Sequence, residues 1–295
     1  MNRWSASLAV LIGASLYGLM APVIKMAYQA GLSETEVISG QYIVAMAIFL
    51  LTLPRVWVPL RQLGAKQWLW LLFVGCWGLG GTSIFYYLAL HQLPASLAVV
   101  LLFQFAWVVL VMDLIRWRRR PYPYELAALA CVVAGTFFSV QVSGVQLSHI
   151  PYTGWLFGFI AAVAYASFLY YSADLPKGLS TWGRSAVMTI VAALFVFAFF
   201  PPQFLLTGRW LEILPWMVVL GIFCSAAPTL LLVLGTPHIP SAMTGILGSV
   251  ELPISVIAAA VLLSEPVNLW QWLGIALIVA GIFIVEWYGK DAKSV

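Results

Sequence analysis

The feature that most constrains this chain is a recurrence of apolar stretches, each about the length that a helix needs to cross a bilayer, roughly 20 residues. Ten such stretches cover approximately 5–28, 37–53, 68–91, 95–115, 123–141, 152–173, 184–201, 214–236, 241–263 and 269–288, with short segments of proline, glycine and charge between them. In hydrocarbon every backbone N–H and C=O has to be satisfied within the protein, which makes runs of this length helices. Composition agrees, since 63% of residues are hydrophobic and 8% are charged, far from a soluble domain. The expected fold is an all-α membrane protein of ten transmembrane helices. Only Gln92-Leu93-Pro94 separates the third run from the fourth, and only His238-Ile239-Pro240 the eighth from the ninth, so each pair is read as a tight helical hairpin. A secretory leader is the competing reading of the first run, but its charged region is Arg3 alone and its apolar stretch is long.

Lys and Arg set the expected orientation, because cytoplasmic loops carry the excess of positive charge. With the N-terminus inside, the cytoplasmic set is Arg3, Arg55, Arg61, Lys66, Arg116, Arg118, Arg119, Arg120, Lys177, Arg184, Lys290 and Lys293, against Arg209 outside and Lys25 within the first run. Both termini are expected in the cytoplasm. The net charge of +4 then reflects topology and anionic headgroups rather than nucleic acid. Cys76, Cys131 and Cys224 all fall in apolar runs and read as small packing residues.

The two halves of the chain repeat. A shift of 146 lays Trp70 on Trp216, Gly75 on Gly221, Leu88 on Leu234, Pro94 on Pro240 and Leu101 on Leu247. The same shift lays Ala130, Val133, Ala134, Gly135 and Phe137 on Ala276, Val279, Ala280, Gly281 and Phe283. Near the start of each half, "LYGL" (16–19) meets "AYAS" (164–167) at a shift of 148, matching Tyr17 to Tyr165. The expected units are 1–146 and 147–295, within a single transporter domain. Five spans per half is an odd number, so the second half enters the membrane inverted. Inverted repeats place a substrate site near the bilayer midplane and alternate access as one part rocks against the other.

The ten-span plan, "GLMAPVIKMA" (18–27), "LPASLAVVLL" (93–102), "IPSAMTGILG" (239–248) and "LLSEPVNLWQWLGIALIVAGIFIV" (262–285) together resemble the EamA branch of the drug/metabolite transporter superfamily, over essentially the full chain. The resemblance implies an export carrier for amino acids or related metabolites in a bacterial inner membrane, with a central cavity framed by both halves. The family often carries Gly-Glu after the fourth span of a half. Ser264-Glu265 fits this loosely, whereas the first half has Arg119-Arg120.

Glu251 is the residue most at odds with its surroundings. A carboxylate at the centre of a spanning helix costs on the order of 2.5–3.5 kcal/mol on insertion scales, so it should face a cavity or a partner. It is read as binding a substrate ammonium or a coupling proton; the alternative is a protonated or hydrogen-bonded carboxyl that packs against another helix. Pro253 frees a backbone carbonyl two residues on. The repeat places Phe105 opposite Glu251 and Trp107 opposite Pro253. The expected lining is therefore a carboxylate on one wall and aromatic rings on the other, with Gln104 contributing an amide, which suits an aromatic or large apolar amino acid. The same rings would otherwise pack between helices or face lipid. Tyr17, Tyr165, Tyr86 and Tyr87 lie deeper than interface anchors and are candidate lining residues. Lys25, near the end of the first run, either snorkels to the surface or pairs with a substrate carboxylate or Glu251. Asp113 is expected to pair with the neighbouring arginines.

His91, His149 and His238 fall at expected loops, and neither H-E-x-x-H nor G-x-S-x-G occurs, so no enzyme, metal or cofactor is expected. With no ATP-binding loop, the expected driving force is a gradient. A channel would need an oligomeric ring or a run of filter carbonyls. The expectation is thus a secondary exporter of small metabolites, foremost amino acids, acting as a monomer or weak dimer in the lipid bilayer. The alternatives are a multidrug exporter of small organic cations and a facilitative channel.

Overall fold

The computed structural model describes residues 1–93, 95–139, 151–176, 178–206 and 208–289, with the side chains of 55–59, 95 and 96 excluded. The expected repeat boundary at 146–147 lies outside the described residues, as do Pro94, His149, Lys177, Lys290 and Lys293. Among the described residues the chain is helical, with no strand. The helices are α1 (Arg3–Gln29), α2 (Glu34–Arg61), α3 (Ala65–Leu90), α4 (Ala95–Leu102 and Phe105–Trp117), α5 (Pro123–Ser139), α6 (Tyr152–Tyr171), α7 (Thr181–Phe199), α8 (Trp210–His238), α9 (Ser241–Gly248 and Glu251–Leu263) and α10 (Leu269–Tyr288). Among the described residues nine are long and apolar enough to cross a membrane, and α5 is shorter. Large apolar side chains within the helices, such as Leu51, Ile115 and Val261, stand more than two-thirds exposed, as a lipid-facing surface requires.

Several helices are broken at matching places. α4 is interrupted at Phe103-Gln104 and α9 at Ser249-Val250, the same positions under the 146 shift. The cause is explicit in α9: Pro253 has no N–H to offer the carbonyl of Ser249, which accepts instead from Leu252 at 3.2 Å. α4 breaks without a proline, and Ala106 donates to Phe103 O at 3.4 Å. Wider π turns run through Val74–Gly81 of α3 and Ile222–Ala226 of α8. The pieces α4 and α9 both end in left-handed residues, Arg118 (φ 49) and Ser264 (φ 55), again at matching positions. α1 is broken once more, at Leu19.

Packing follows the same correspondence. α1 lies on α8 as α6 lies on α3, α1 on α9 as α6 on α4, and α2 on α8 as α7 on α3. α2 packs on α7, α4 on α9 and α5 on α10, each with its own counterpart. Glycines permit two of these approaches. A Cβ on Gly75 would stand 2.9 Å from the Met188 carbonyl of α7, and one on the matching Gly221 would stand 2.5 Å from the Val44 Cβ of α2.

Candidate functional site

The breaks and π turns meet around one cavity of about 520 Å³. Broken and widened helices release backbone groups that only protein or a wet cavity can satisfy at membrane depth. Gly78 and Leu79 from the π turn of α3 line it, as do Cys224 and Ser225 from that of α8 and Glu251 from the restart of α9. The break in α9 makes Glu251 the first residue of a new helical piece, where the helix dipole favours a negative side chain.

Glu251 is half-buried, and its Oε2 accepts a hydrogen bond from Tyr165 OH at 3.2 Å. Tyr165 is itself held by rings on both sides: Phe105 edge-on at 4.8 Å and Tyr17 edge-on at 6.2 Å. Tyr17 OH lies 3.0 Å from Thr229 Oγ1 on α8, and Tyr42 OH 2.8 Å from Ser83 Oγ on α3. Around Glu251 the lining is therefore hydroxyls and rings. Lys25 and Glu265, both about half exposed, form an ion pair on the cavity wall, joining the end of α1 to the segment after α9.

Of the residues singled out by sequence, Tyr17, Lys25, Tyr87, Tyr165 and Glu251 line this cavity, with Tyr86 beside them. Three others stand behind or away from the wall. Phe105 is fully buried against Tyr165 and Phe103. Trp107 donates its indole N–H to Gln104 Oε1 at 2.8 Å and stacks on Phe159, while the Gln104 amide donates to Val100 O at 2.9 Å. Gln104 and Trp107 thus satisfy each other within α4. Phe103, at the break, supplies the aromatic lining from that helix. Sequence reasoning passed over Gln41, Tyr42, Ser83, Thr189, Ser225 and Thr229, which also line the cavity. A polar side chain at mid-span was the available signal for each.

The end of the molecule far from Lys25 is tied by polar contacts. Arg119 bridges Asp113 at 2.6 Å and Glu125 at 2.7 Å, Arg116 pairs with Asp174, and Ser172 Oγ donates to Thr236 Oγ1 at 2.9 Å. Asp113 pairs with Arg119, as its sequence neighbourhood suggested. No group of three or more His, Cys, Asp or Glu side chains able to hold a metal occurs among the described residues.

The sequence model of the EamA-like transporter family matches residues 4–141 and again 152–287. The threonine/homoserine exporter RhtA of Escherichia coli (strain K12) is 28% identical over 241 residues, 80% of this chain and 77% of its own length. The threonine/homoserine exporter RhtA of Salmonella typhimurium (strain SL1344) is 28% identical over 242 residues, again 80% and 77% of the two chains. A crystal structure at 18% identity superposes on 99% of this chain and 100% of its own, with a TM-score of 0.76, a likeness of fold.

Proposed function

The chain belongs to the EamA-like transporter family, a multi-pass membrane transporter and not an enzyme, and from that premise we propose that it is a secondary exporter of amino acids in a bacterial inner membrane. The observation that carries the reading is Glu251, the carboxylate on the cavity wall that the structure pairs with a hydroxyl rather than a cation, in a space lined by hydroxyls and rings. Such a group suits the ammonium that every amino acid carries, or a coupling proton that competes with it. The amino acid exporters among the relatives favour the same class. The rings of Tyr17, Tyr86, Tyr87 and Phe103 support the expected acceptance of aromatic or large apolar side chains, in place of Phe105 and Trp107.

The mechanism proposed is alternating access by ten spans arranged as two inverted repeats, 1–146 and 147–295. The paired breaks, the paired π turns and the exchange-symmetric packing support that arrangement. α5, the shorter helix, completes the tenth span. Lys25, Tyr28, Leu90 and Leu263 lie toward one end of α1, α3 and α9 on the cavity wall, and with the N-terminus taken as cytoplasmic from the charge bias this supports a cavity that opens outward. The proposed state is outward-facing, with the opposite end held by Arg116–Asp174 and the Arg119 bridge. Exchanging the roles of the halves would close the outer end and open the inner one. A multidrug exporter of organic cations is the second reading, because a carboxylate among rings also suits a cation without a carboxylate.

Thermal stabilisation of the purified protein by a panel of amino acids and organic cations tests the choice, since a ligand of the folded state raises the melting temperature. Shifts by amino acids that vanish in Glu251→Gln support the reading. Shifts confined to organic cations overturn it in favour of the second.

A further inference from the structure

Four residues on the cavity wall, Tyr28, Gln41, Tyr87 and Thr189, carry a buried oxygen that has no hydrogen-bond partner among the described residues, and two of them, Gln41 and Thr189, stand on helices that pack directly on each other. Gln41 in α2 is 3% exposed and Thr189 in α7 is 1% exposed; Gln41 Oε1 and Thr189 Oγ1 are buried without a hydrogen-bond partner. Both residues line the cavity. A helical threonine or serine ordinarily returns its hydroxyl to the carbonyl four residues back, as Thr136 does to Val132 at 2.8 Å and Ser167 to Val163 at 2.7 Å. Thr189 does not. Native folds seldom leave such groups unpaired, and each one that remains calls for an explanation.

The two positions are also related. α2 and α7 hold corresponding places in the two halves and pack directly on each other. The two unpaired oxygens therefore come from counterpart helices that meet. The Gln41 amide offers two kinds of polar atom. Its oxygen accepts and its nitrogen donates, while the Thr189 hydroxyl does both. A hydroxyl is the smallest ligand group able to answer the pair, giving one hydrogen bond and taking another. An ammonium is better served by Glu251, and a carboxylate would find no cation in Gln41 or Thr189.

We infer that Gln41 and Thr189 form a subsite that reads a side-chain hydroxyl on the transported amino acid. The inference rests on the amino acid reading of the cavity, with the ammonium at Glu251. A site built to hydrogen-bond a substrate hydroxyl discriminates against the isostere that lacks it, because the protein groups are then left unpaired. The carrier accordingly prefers threonine to valine and tyrosine to phenylalanine.

The test is exchange of labelled threonine, valine, tyrosine and phenylalanine by the full chain in proteoliposomes, read as the kcat/KM ratio within each pair. The wild type is expected to favour the hydroxylated member by at least about tenfold. Thr189→Val and Gln41→Leu should each cut that ratio by about tenfold, and Thr189→Ser should restore it, which a role confined to packing would not do. Ratios near one in the wild type, or ratios unmoved in both variants while exchange continues, overturn the inference and leave the amino acid reading standing. If the wild type exchanges none of the four and Glu251→Gln alters no ligand's binding, the amino acid reading falls and the inference with it. Should either variant fail to fold, the wild-type ratios and Thr189→Ser decide the matter alone.

Discussion

Replacing Glu251 by Gln isolates the charge from everything else at the site. The two side chains have nearly the same shape, and the Gln carbonyl can still accept from Tyr165 OH, the one hydrogen bond Glu251 makes at 3.2 Å. Folding should change little. Removing an uncompensated intramembrane carboxylate also relieves an insertion cost on the order of 2.5 kcal/mol, so the melting temperature in detergent should hold or rise. Ligand binding moves the other way. A hydrogen bond to a charged partner is worth roughly 1.5–3 kcal/mol, and about 1.4 kcal/mol is a tenfold change in Kd. Affinity for an amino acid should therefore fall by about ten- to a hundredfold, measured by calorimetry or by ligand-induced thermal shift on the purified protein. A Kd within twofold of wild type, with the fold intact, would refute the assignment and return Glu251 to packing.

Three further outcomes follow from the same geometry. Arg119→Ala strands Asp113 and Glu125, whose side chains are only 8% and 4% exposed, so it should destabilise by about 3–5 kcal/mol and lower the melting temperature; adding Asp113→Asn and Glu125→Gln should recover part of the loss. Charge reversal at Lys25 alone should weaken the Lys25–Glu265 contact and shift protease or thiol-reagent access there, while the double exchange Lys25→Glu with Glu265→Lys restores the wild-type pattern; identical labelling in the single and double variants would remove the ion pair from any role. Gly221→Val should cost about 1–3 kcal/mol by overpacking, since its Cβ would meet Val44 at 2.5 Å, read again as a lower melting temperature.

The helices were legible in the sequence because hydrocarbon leaves the backbone little choice: run length and charge scarcity put α1 and α3 to α10 within a few residues of their observed bounds, while α2 runs on past the expected end at 53 to Arg61. The repeat was legible from Gly75 and Gly221, whose close contacts explain why both are glycine. What the sequence did not disclose was rotation and fine pitch. Hydropathy in a helix apolar all round says nothing of which face is inward, so Phe105 was expected on the cavity while Phe103, two residues earlier and across the break, reaches it. The α9 break was signalled by Pro253; the matching α4 break had no such mark. Gln104 attracted attention as a polar group yet is consumed by Trp107 and Val100. Gln41 drew none, although an amide in a spanning helix is as much a signal as a carboxylate.

The most direct test of the central claim is counterflow in proteoliposomes. Vesicles loaded with an excess of unlabelled amino acid should take up the labelled one transiently against its concentration, saturably, and Glu251→Gln should suppress that uptake. Alternating access through a single site predicts this overshoot. Non-saturating uptake with no overshoot, unaffected by Glu251→Gln, would contradict it and describe a channel.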